Sequence, residues 1–295
     1  MNAHHSLRPR RVLVLGGAGY IGSHAVLALD AAGYSVAVFD NLSTGFRSAV
    51  PAHIAFYEGD IGDSEFLGAV LKQGRFDAIM HFAASLIVPE SVADPLKYYH
   101  NNTAKSIGVI AAAVAAGVPH IVFSSTAAVY GVPDFVPIAE DAATQPINPY
   151  GASKLMIERV LSDTAAVHPL SYAVLRYFNV AGADPDGRAG QSTAGATHLV
   201  KVVAEYLTGR RSAVDVFGSD FATPDGSGVR DYIHVSDLAD LHVRALQHLL
   251  SGGDNLIANC GYGHGFSVRE VIDAAKSKRD AEQKHLAAIA TDHLA

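Results

Sequence analysis

The stretch RVLVLGGAGYIGS, residues 11–23, limits more than any other what this chain can fold into. It opens with a short aliphatic and β-branched run, the pattern of a strand covered on both faces. Gly16, Gly19 and Gly22 follow as G-x-x-G-x-x-G, and a helical pattern continues through HAVLALDAAG. Glycines at a strand-to-helix turn let the backbone bend sharply. They also let a pyrophosphate approach the free N–H groups and positive dipole end of the helix.

The same alternation recurs down the chain. YSVAVFD ends at Asp40, IAFYEGD ends at Asp60, and DAIMHFAA, HIVFSS and YAVLRYFN read as further strands. Between them lie segments of helix length, among them PLKYYHNNTAKSIGVIAAAVAAG and YGASKLMIERVLSDTAAVH. Strands alternating with helices predict an α/β fold with a doubly wound parallel sheet. After Asn179 the texture changes: GADPDGRAGQSTAG and GSDFATPDGSG are rich in loop formers. VRDYIHVSDLADLHVRAL then looks regular and is expected to return to the main sheet. The predicted division is a dinucleotide-binding domain over 9–178 and 229–250, and a smaller substrate domain over 179–228 and 251–295.

Asp40 ends the second strand at the spacing where an acid accepts from the adenosine ribose hydroxyls. NLSTG follows it, with no arginine close behind. An acid there repels a 2′-phosphate, so the expected cofactor is NAD rather than NADP. The formal charge of −7 argues against a nucleic-acid partner. One cysteine, Cys260, cannot form an internal disulfide, and no apolar run approaches the roughly 20 residues that span a bilayer. The start MNAHHSLRPR is too short and polar for a signal peptide, so a cytoplasmic location is expected. The fifteen histidines are scattered, without H-E-x-x-H or a Cys/His cluster, and no metal site is expected. No G-x-S-x-G elbow is present, which argues against a serine hydrolase.

In YGASK, Tyr150 and Lys154 stand one helical turn apart on one face. A free phenol titrates near about 10 and is a poor base at neutral pH. A neighbouring ammonium and a positively charged nicotinamide ring both favour the phenolate. Tyr150 can then take a proton from a substrate hydroxyl as hydride leaves the same carbon. Such a pair also arises by chance on surface helices; its place behind a dinucleotide fingerprint is what makes it a candidate.

Taken together, GGAGYIGS, FDNLSTG, HFAA, NNT, SSTAAVYG, PYGASK, LRYFNVAGA and GVRDYIHVSDLA resemble the extended short-chain dehydrogenase/reductase family, on its NAD-dependent epimerase branch. The resemblance runs from Val12 to about Lys276. It implies a Rossmann sheet and a homodimer built on a helix pair. The implied activity is epimerisation at carbon 4 of a UDP-hexose through transient oxidation to a 4-keto sugar. An epimerase of another UDP-sugar (pentose, N-acetylhexosamine or uronic acid) and an impaired NAD-binding remnant stay open. Tyr150 and Lys154 match the catalytic pair, and Thr126 matches the hydroxyl that orients the reacting sugar. In related dehydratases that hydroxyl precedes an Asp–Glu pair that eliminates water. Ala127 and Ala128 stand there instead, and neither moves a proton.

The resemblance also places the cofactor among Gly16, Gly19, Tyr20, Ile21, Gly22, Asp40, Asn41, Asp60, Ile61, Phe82, Ala83, Ala84, Asn101, Tyr150, Lys154 and Phe178. It places the substrate against Thr126, Tyr150, Tyr177, Asn179, Phe217 and Arg230. Phe217 and Tyr177 are also plausible core aromatics, and Asn102 a buried group fixing a loop. The family continues with an RRxGD-like motif that clamps diphosphate and ribose. After FSVREVIDAAK this chain reads SKRDAEQKHLAAIATDHLA, without that motif. The expectation is a truncated or frame-altered substrate domain, or a divergent one that closes its site with other groups. Cofactor binding should survive better than catalysis.

Overall fold

The structure, a computed structural model, describes residues 9–193, 195 and 197–279. The first half alternates as the sequence predicts. β1 (Arg11–Leu15), α1 (Tyr20–Ala31), β2 (Ser35–Asp40), β3 (Ala55–Glu58), α2 (Ser64–Gly74) and β4 (Ala78–His81) follow in turn. Next come α3 (Val88–Ala93), α4 (Pro95–Tyr98), a π-helical turn over Tyr99–Ala104 and α5 (Lys105–Ala116), then β5 (His120–Ser124), α6 (Pro149–Ala165) and β6 (Ser171–Tyr177). The rest comprises β7 (Asn179–Ala181), α7 (Leu199–Leu207), β8 (Val229–Arg230), β9 (Tyr232–His234), α8 (Val235–Leu250), β10 (Leu256–Cys260) and β11 (Phe266–Ser267), with a helix over 268–279.

Seven strands form one parallel sheet in the order β10-β6-β5-β4-β1-β2-β3. The chain reverses direction across the sheet between β1 and β4, which opens a crevice at their carboxyl ends, the usual ligand position in such sheets. β1 is apolar from Val12 to Leu15 because both its faces are covered there. Val12 and Val14 pack with Val26 and Leu29 of α1 and Leu238 and Leu246 of α8. Leu13 and Leu15 pack on the other side with Leu67 and Leu71 of α2, Val109 of α5 and Ile157 and Leu161 of α6. Each such side chain contributes about 1.5–3 kcal/mol by leaving water.

Caps set the helices that carry the site. Asn148 accepts from the Gly151 N–H at 2.8 Å, and Pro149 sits in the first turn of α6. This starts α6 where Tyr150 falls in its first turn. Gly117, at φ +70°, ends α5 in the left-handed conformation.

Two expectations are corrected. The strands of VRDYIH do not join the main sheet: β8 pairs antiparallel with β11, and β9 pairs in parallel with β7. What returns to the sheet is α8, which packs beside α1, and then β10 beside β6. The predicted boundary at 251 therefore falls short, because Leu256–Cys260 is an edge strand of the large sheet. The last helix continues into the tail through 279, and the rest of the tail, where the RRxGD-like motif was expected to be missing, lies outside the described residues.

Candidate active site

The glycine turn is built for close approach. Gly16 holds φ +76°, and a Cβ there would lie 2.6 Å from the Ala83 nitrogen. A Cβ on Gly22 would lie 2.1 Å from the Gly16 carbonyl oxygen. Gly19 precedes the first turn of α1, with its own carbonyl accepting from Ser23 at 2.9 Å. The turn thus offers a backbone cradle at a helix N-terminus, which fits a dinucleotide pyrophosphate. Tyr20 donates to the Gly182 carbonyl at 2.7 Å, so it ties this helix end to the loop after β7. Ile21 is half-buried against the core under the turn.

Asp40 is buried at the end of β2, and its two carboxylate oxygens accept from the Ala18 and Leu42 N–H groups, each at 2.8 Å. It therefore braces the glycine turn from below, and each oxygen keeps a lone pair for a ribose hydroxyl. Asn41 donates to Asp60 at 2.9 Å, and Lys105 of α5 reaches the same carboxylate at 2.8 Å. Burial works to raise the Asp60 pKa, but the Lys105 ammonium, the Gly62 N–H and the Asn41 amide outweigh it and hold it low. Ile61 is buried beside it.

Beyond β4, the Phe82 and Ala83 N–H groups both donate to the Leu15 carbonyl, closing the crevice floor. Ala84 is followed by Ser85, which the turn leading into α5 holds in place. Asn101 donates to the Ser85 hydroxyl at 3.0 Å, and buried Asn102 bonds the Ser85 N–H, the Ser85 carbonyl and the Ser153 hydroxyl. Asn102 thus fixes a loop.

Thr126, Tyr150 and Lys154 converge at the carboxyl end of β5. Thr126 starts the short turn Ala127–Tyr130, where its hydroxyl accepts from the Ala128 N–H at 3.1 Å. Burial pushes the Tyr150 phenol up, and its hydrogen bond with Thr126 pulls it back. Lys154 is 4 % exposed; its ammonium donates to the Ser124 carbonyl at 2.8 Å and lies 4.9 Å from the centre of the Phe123 ring. Burial pushes its pKa down to about 7, and the charge of Glu158 works the other way. Tyr177 meets the Ser124 hydroxyl, and burial holds its phenol in the neutral form.

The residues expected on the substrate side are more dispersed. Asn179 is tied through both its backbone N–H and its side-chain amide to the Asp231 carbonyl. Phe178 is half-buried beside Gly261. Phe217 is 86 % exposed and so is not a core aromatic. Arg230 is exposed on β8, with Nη1 donating to the Val229 carbonyl at 2.8 Å.

A profile of the NAD dependent epimerase/dehydratase family matches residues 12–261. The chain belongs to that family. It is 60 % identical over 262 residues to a UDP-glucose 4-epimerase of Azospirillum brasilense, covering 89 % of this chain and 75 % of the relative. Among solved structures, it resembles a UDP-glucose 4-epimerase of Brucella ovis in complex with NAD, at 46 % identity and TM-score 0.87, covering 90 % of this chain and 81 % of that one. It also resembles a Bifidobacterium longum UDP-glucose 4-epimerase in complex with NAD+ and UDP, at 38 % identity and TM-score 0.87, covering 92 % and 83 %.

Within this family fold, the structure brings together the glycine turn, Asp40, the 82–84 loop, Thr126, Tyr150 and Lys154 around one crevice. Among the described residues, no group of three or more His, Cys, Asp or Glu is arranged to hold a metal, and no helix is long and apolar enough to cross a membrane. Sequence reasoning missed Lys105, Ser125, Glu158 and Arg176. A signal for Glu158 was available, since it stands one turn after Lys154 on the face that carries Tyr150. Arg176 interrupts the apolar run of β6, which marks a charge that must be paired inside.

Proposed function

We propose that this chain interconverts UDP-galactose and UDP-glucose by NAD-dependent epimerisation at carbon 4. The observation that carries this reading is the convergence of Thr126, Tyr150 and Lys154 beside the glycine cradle, with Ala127 and Ala128 where an eliminating acid–base pair would stand. Relatives named for this activity support it. Bound NAD supplies hydride uptake and return. The chain's own groups handle the proton. Thr126 orients the sugar hydroxyl, and Tyr150 takes its proton as the carbon is oxidised. Lys154 lowers the cost of the phenolate by placing a positive charge near it. With no group to eliminate water, the keto sugar has only re-reduction open to it. If the sugar turns over first, the proton returned by Tyr150 completes the opposite epimer.

Asp40 takes the adenosine ribose, Asn41, Asp60 and Ile61 flank adenine, and Phe82, Ala83, Ala84, Asn101 and Phe178 line the path toward nicotinamide. Tyr177, Asn179, Phe217 and Arg230 receive the sugar nucleotide, Arg230 offering an exposed guanidinium suited to a diphosphate. Residues 9–178 with 229–260 carry the cofactor, and 179–228 with 261–279 cover the substrate. We expect a homodimer: α5 leaves Ile107, Ala111 and Ala115 exposed along one stripe, near exposed Met156 of α6.

The test is conversion of UDP-galactose by the purified chain, with bound nicotinamide quantified in the same sample and a panel of other UDP-sugars alongside. Conversion that disappears in Tyr150→Phe supports the reading. Full activity in that variant sinks the role of Tyr150, and turnover of only another UDP-sugar reassigns the substrate.

A further inference from the structure

Three consecutive residues at the end of β5 each hold one of three residues spaced a turn apart on α6. The Ser124 carbonyl takes the Lys154 ammonium at 2.8 Å, the Ser125 hydroxyl donates to Glu158 at 2.5 Å, and the Thr126 hydroxyl stands beside Tyr150, favouring its phenolate. Glu158 is 4 % exposed and lies under the site. From β6, Arg176, also 4 % exposed, grips it with Nε at 3.1 Å and Nη2 at 2.5 Å. Arg176 in turn donates to the Tyr130 hydroxyl at 2.8 Å and lies 4.9 Å from the centre of that ring.

A buried ion pair is a poor stabiliser, because desolvation cancels most of its attraction and apolar residues of similar volume often do as well. Its presence here calls for another reason, and Lys154 supplies one. The groups facing Lys154 come from four elements: Tyr150 and Glu158 of α6, the Phe123 ring and Ser124 carbonyl of β5, His81 of β4, and Arg176 and Tyr177 of β6 by way of Glu158 and Ser124. Burial keeps His81 neutral and the Tyr177 phenol protonated. Glu158 is the negative charge in this set. Without it, two cations would share one buried space; with it, a single positive charge is left to face a phenolate.

We propose that Glu158, fixed by Ser125 and Arg176, is a positioning residue that keeps Lys154 charged and aimed at the end of β5, where the Tyr150 phenolate needs it. The inference rests on the reading of Tyr150 and Lys154 as the proton-transfer pair. The Tyr–Lys pair with one proton removed has two forms: phenolate with ammonium, which reacts, and phenol with amine, which does not. Removing the Glu158 charge moves that proton from Lys154 toward Tyr150 and depletes the reactive form.

The experiment follows Lys154 directly, by a pH titration of the full NAD-loaded chain carrying lysine labelled with 13C at Cε. The Lys154 signal is assigned by its loss in Lys154→Met. In Glu158→Gln the Lys154 midpoint should fall by about one pH unit or more, a tenfold change in the ratio of protonated to unprotonated lysine. At pH 7, kcat should fall roughly fivefold for a one-unit shift, with KM nearly unchanged. Arg176→Lys keeps both charges and should hold the midpoint. Should Glu158→Gln alone not fold, the paired Glu158→Gln/Arg176→Met leaves no unpaired arginine and should show a smaller fall in the same direction, because the more distant Arg176 charge is lost together with that of Glu158. An unmoved midpoint in the folded variant overturns the proposal. The titration needs no turnover, so a moved midpoint in a chain that converts no UDP-sugar would sink the epimerase reading and leave the role of Glu158 standing.

Discussion

Lys154 donates to the Ser124 carbonyl at 2.8 Å across the α6–β5 contact, with its charge over the Phe123 ring. An ammonium in so dry a place is held at a cost. Its pKa is pushed by burial from 10.5 down to about 7. Above 10.5 neither the folded nor the unfolded chain carries this charge, and the burial has no cost. As pH falls from 10.5 to 7 the unfolded chain gains the proton first, so stability is lost across that window. Below 7 the loss is complete. Lys154→Met removes this dependence. Its stability relative to the parent should rise steadily from pH 10.5 to 7 and stay level below, as read by denaturant unfolding in a pH series. A flat difference across the window would show that the charge is not strained by burial.

Thr126 faces two ways, accepting from the Ala128 N–H and standing beside Tyr150, where it works against the upward push of burial on the phenol. Thr126→Ser keeps the hydroxyl and should retain most epimerase activity. Thr126→Val keeps the shape and loses both contacts. Its kcat should fall roughly 10²-fold, the scale for losing one well-placed hydrogen-bonding group at a reacting centre. Equal activity in the two variants would remove Thr126 from the mechanism.

Asp40 carries a structural load that a ribose contact alone does not require. Both of its oxygens bond backbone N–H groups, one of them inside the glycine turn. Asp40→Asn turns one of these acceptors into a donor facing an N–H. It should cost about 1–3 kcal/mol in calorimetric stability even without cofactor. It should also lower the nicotinamide retained through purification. A variant that loses nicotinamide with no change in cofactor-free stability would confine Asp40 to ribose binding.

Gly22 has no room for a side chain. A Cβ there would sit 2.1 Å from the Gly16 carbonyl oxygen, and the atom in the way is backbone. Gly22→Ala must push α1 away from the turn, at a cost of about 1–3 kcal/mol or more. The expected readouts are a lower Tm and little bound NAD. An unchanged Tm with normal NAD content would mean that the turn relaxes freely and that the cradle is not closely fitted.

What the sequence made legible was local. The apolar runs of β1 and β5, the spacing of Gly16, Gly19 and Gly22, and the four-residue step from Tyr150 to Lys154 all lie within one or two turns of chain. What it hid was settled by packing between distant segments. Arg176 finds Glu158 only when β6 lies beside β5 and α6 covers both. The β7–β9 and β8–β11 ladders join residues from segments far apart in the chain, with two or three residues per strand and too little periodicity to read. For Phe217, expected at the substrate, a core position stayed open as well, because exposure is set by neighbours that sequence spacing does not name; at 86 % exposed it lies outside the core.

Lys105 and Asp60 are such a pair, 45 positions apart in the chain and ion-paired at 2.8 Å. Their bridge ties the loop after β3 to the start of α5, on the side expected to hold adenine. Asp60 is 39 % exposed, so solvent screens the attraction, and the pair contributes roughly 0.2–1 kcal/mol. The sign follows from its lowered pKa. Above the ordinary value of 3.8 the carboxylate is ionised in both folded and unfolded chains and the contribution is whole. It is lost as pH falls below 3.8 through the folded value. Lys105→Met should therefore be slightly less stable than the parent at pH 7, and the difference should close under acid. NAD affinity should fall by more than this small stability loss predicts, because Asn41 and Asp60 lose the anchor that orders them. Calorimetric titration of NAD into both chains, stripped of nicotinamide, measures this, and equal affinities would leave the bridge with a role in the fold alone.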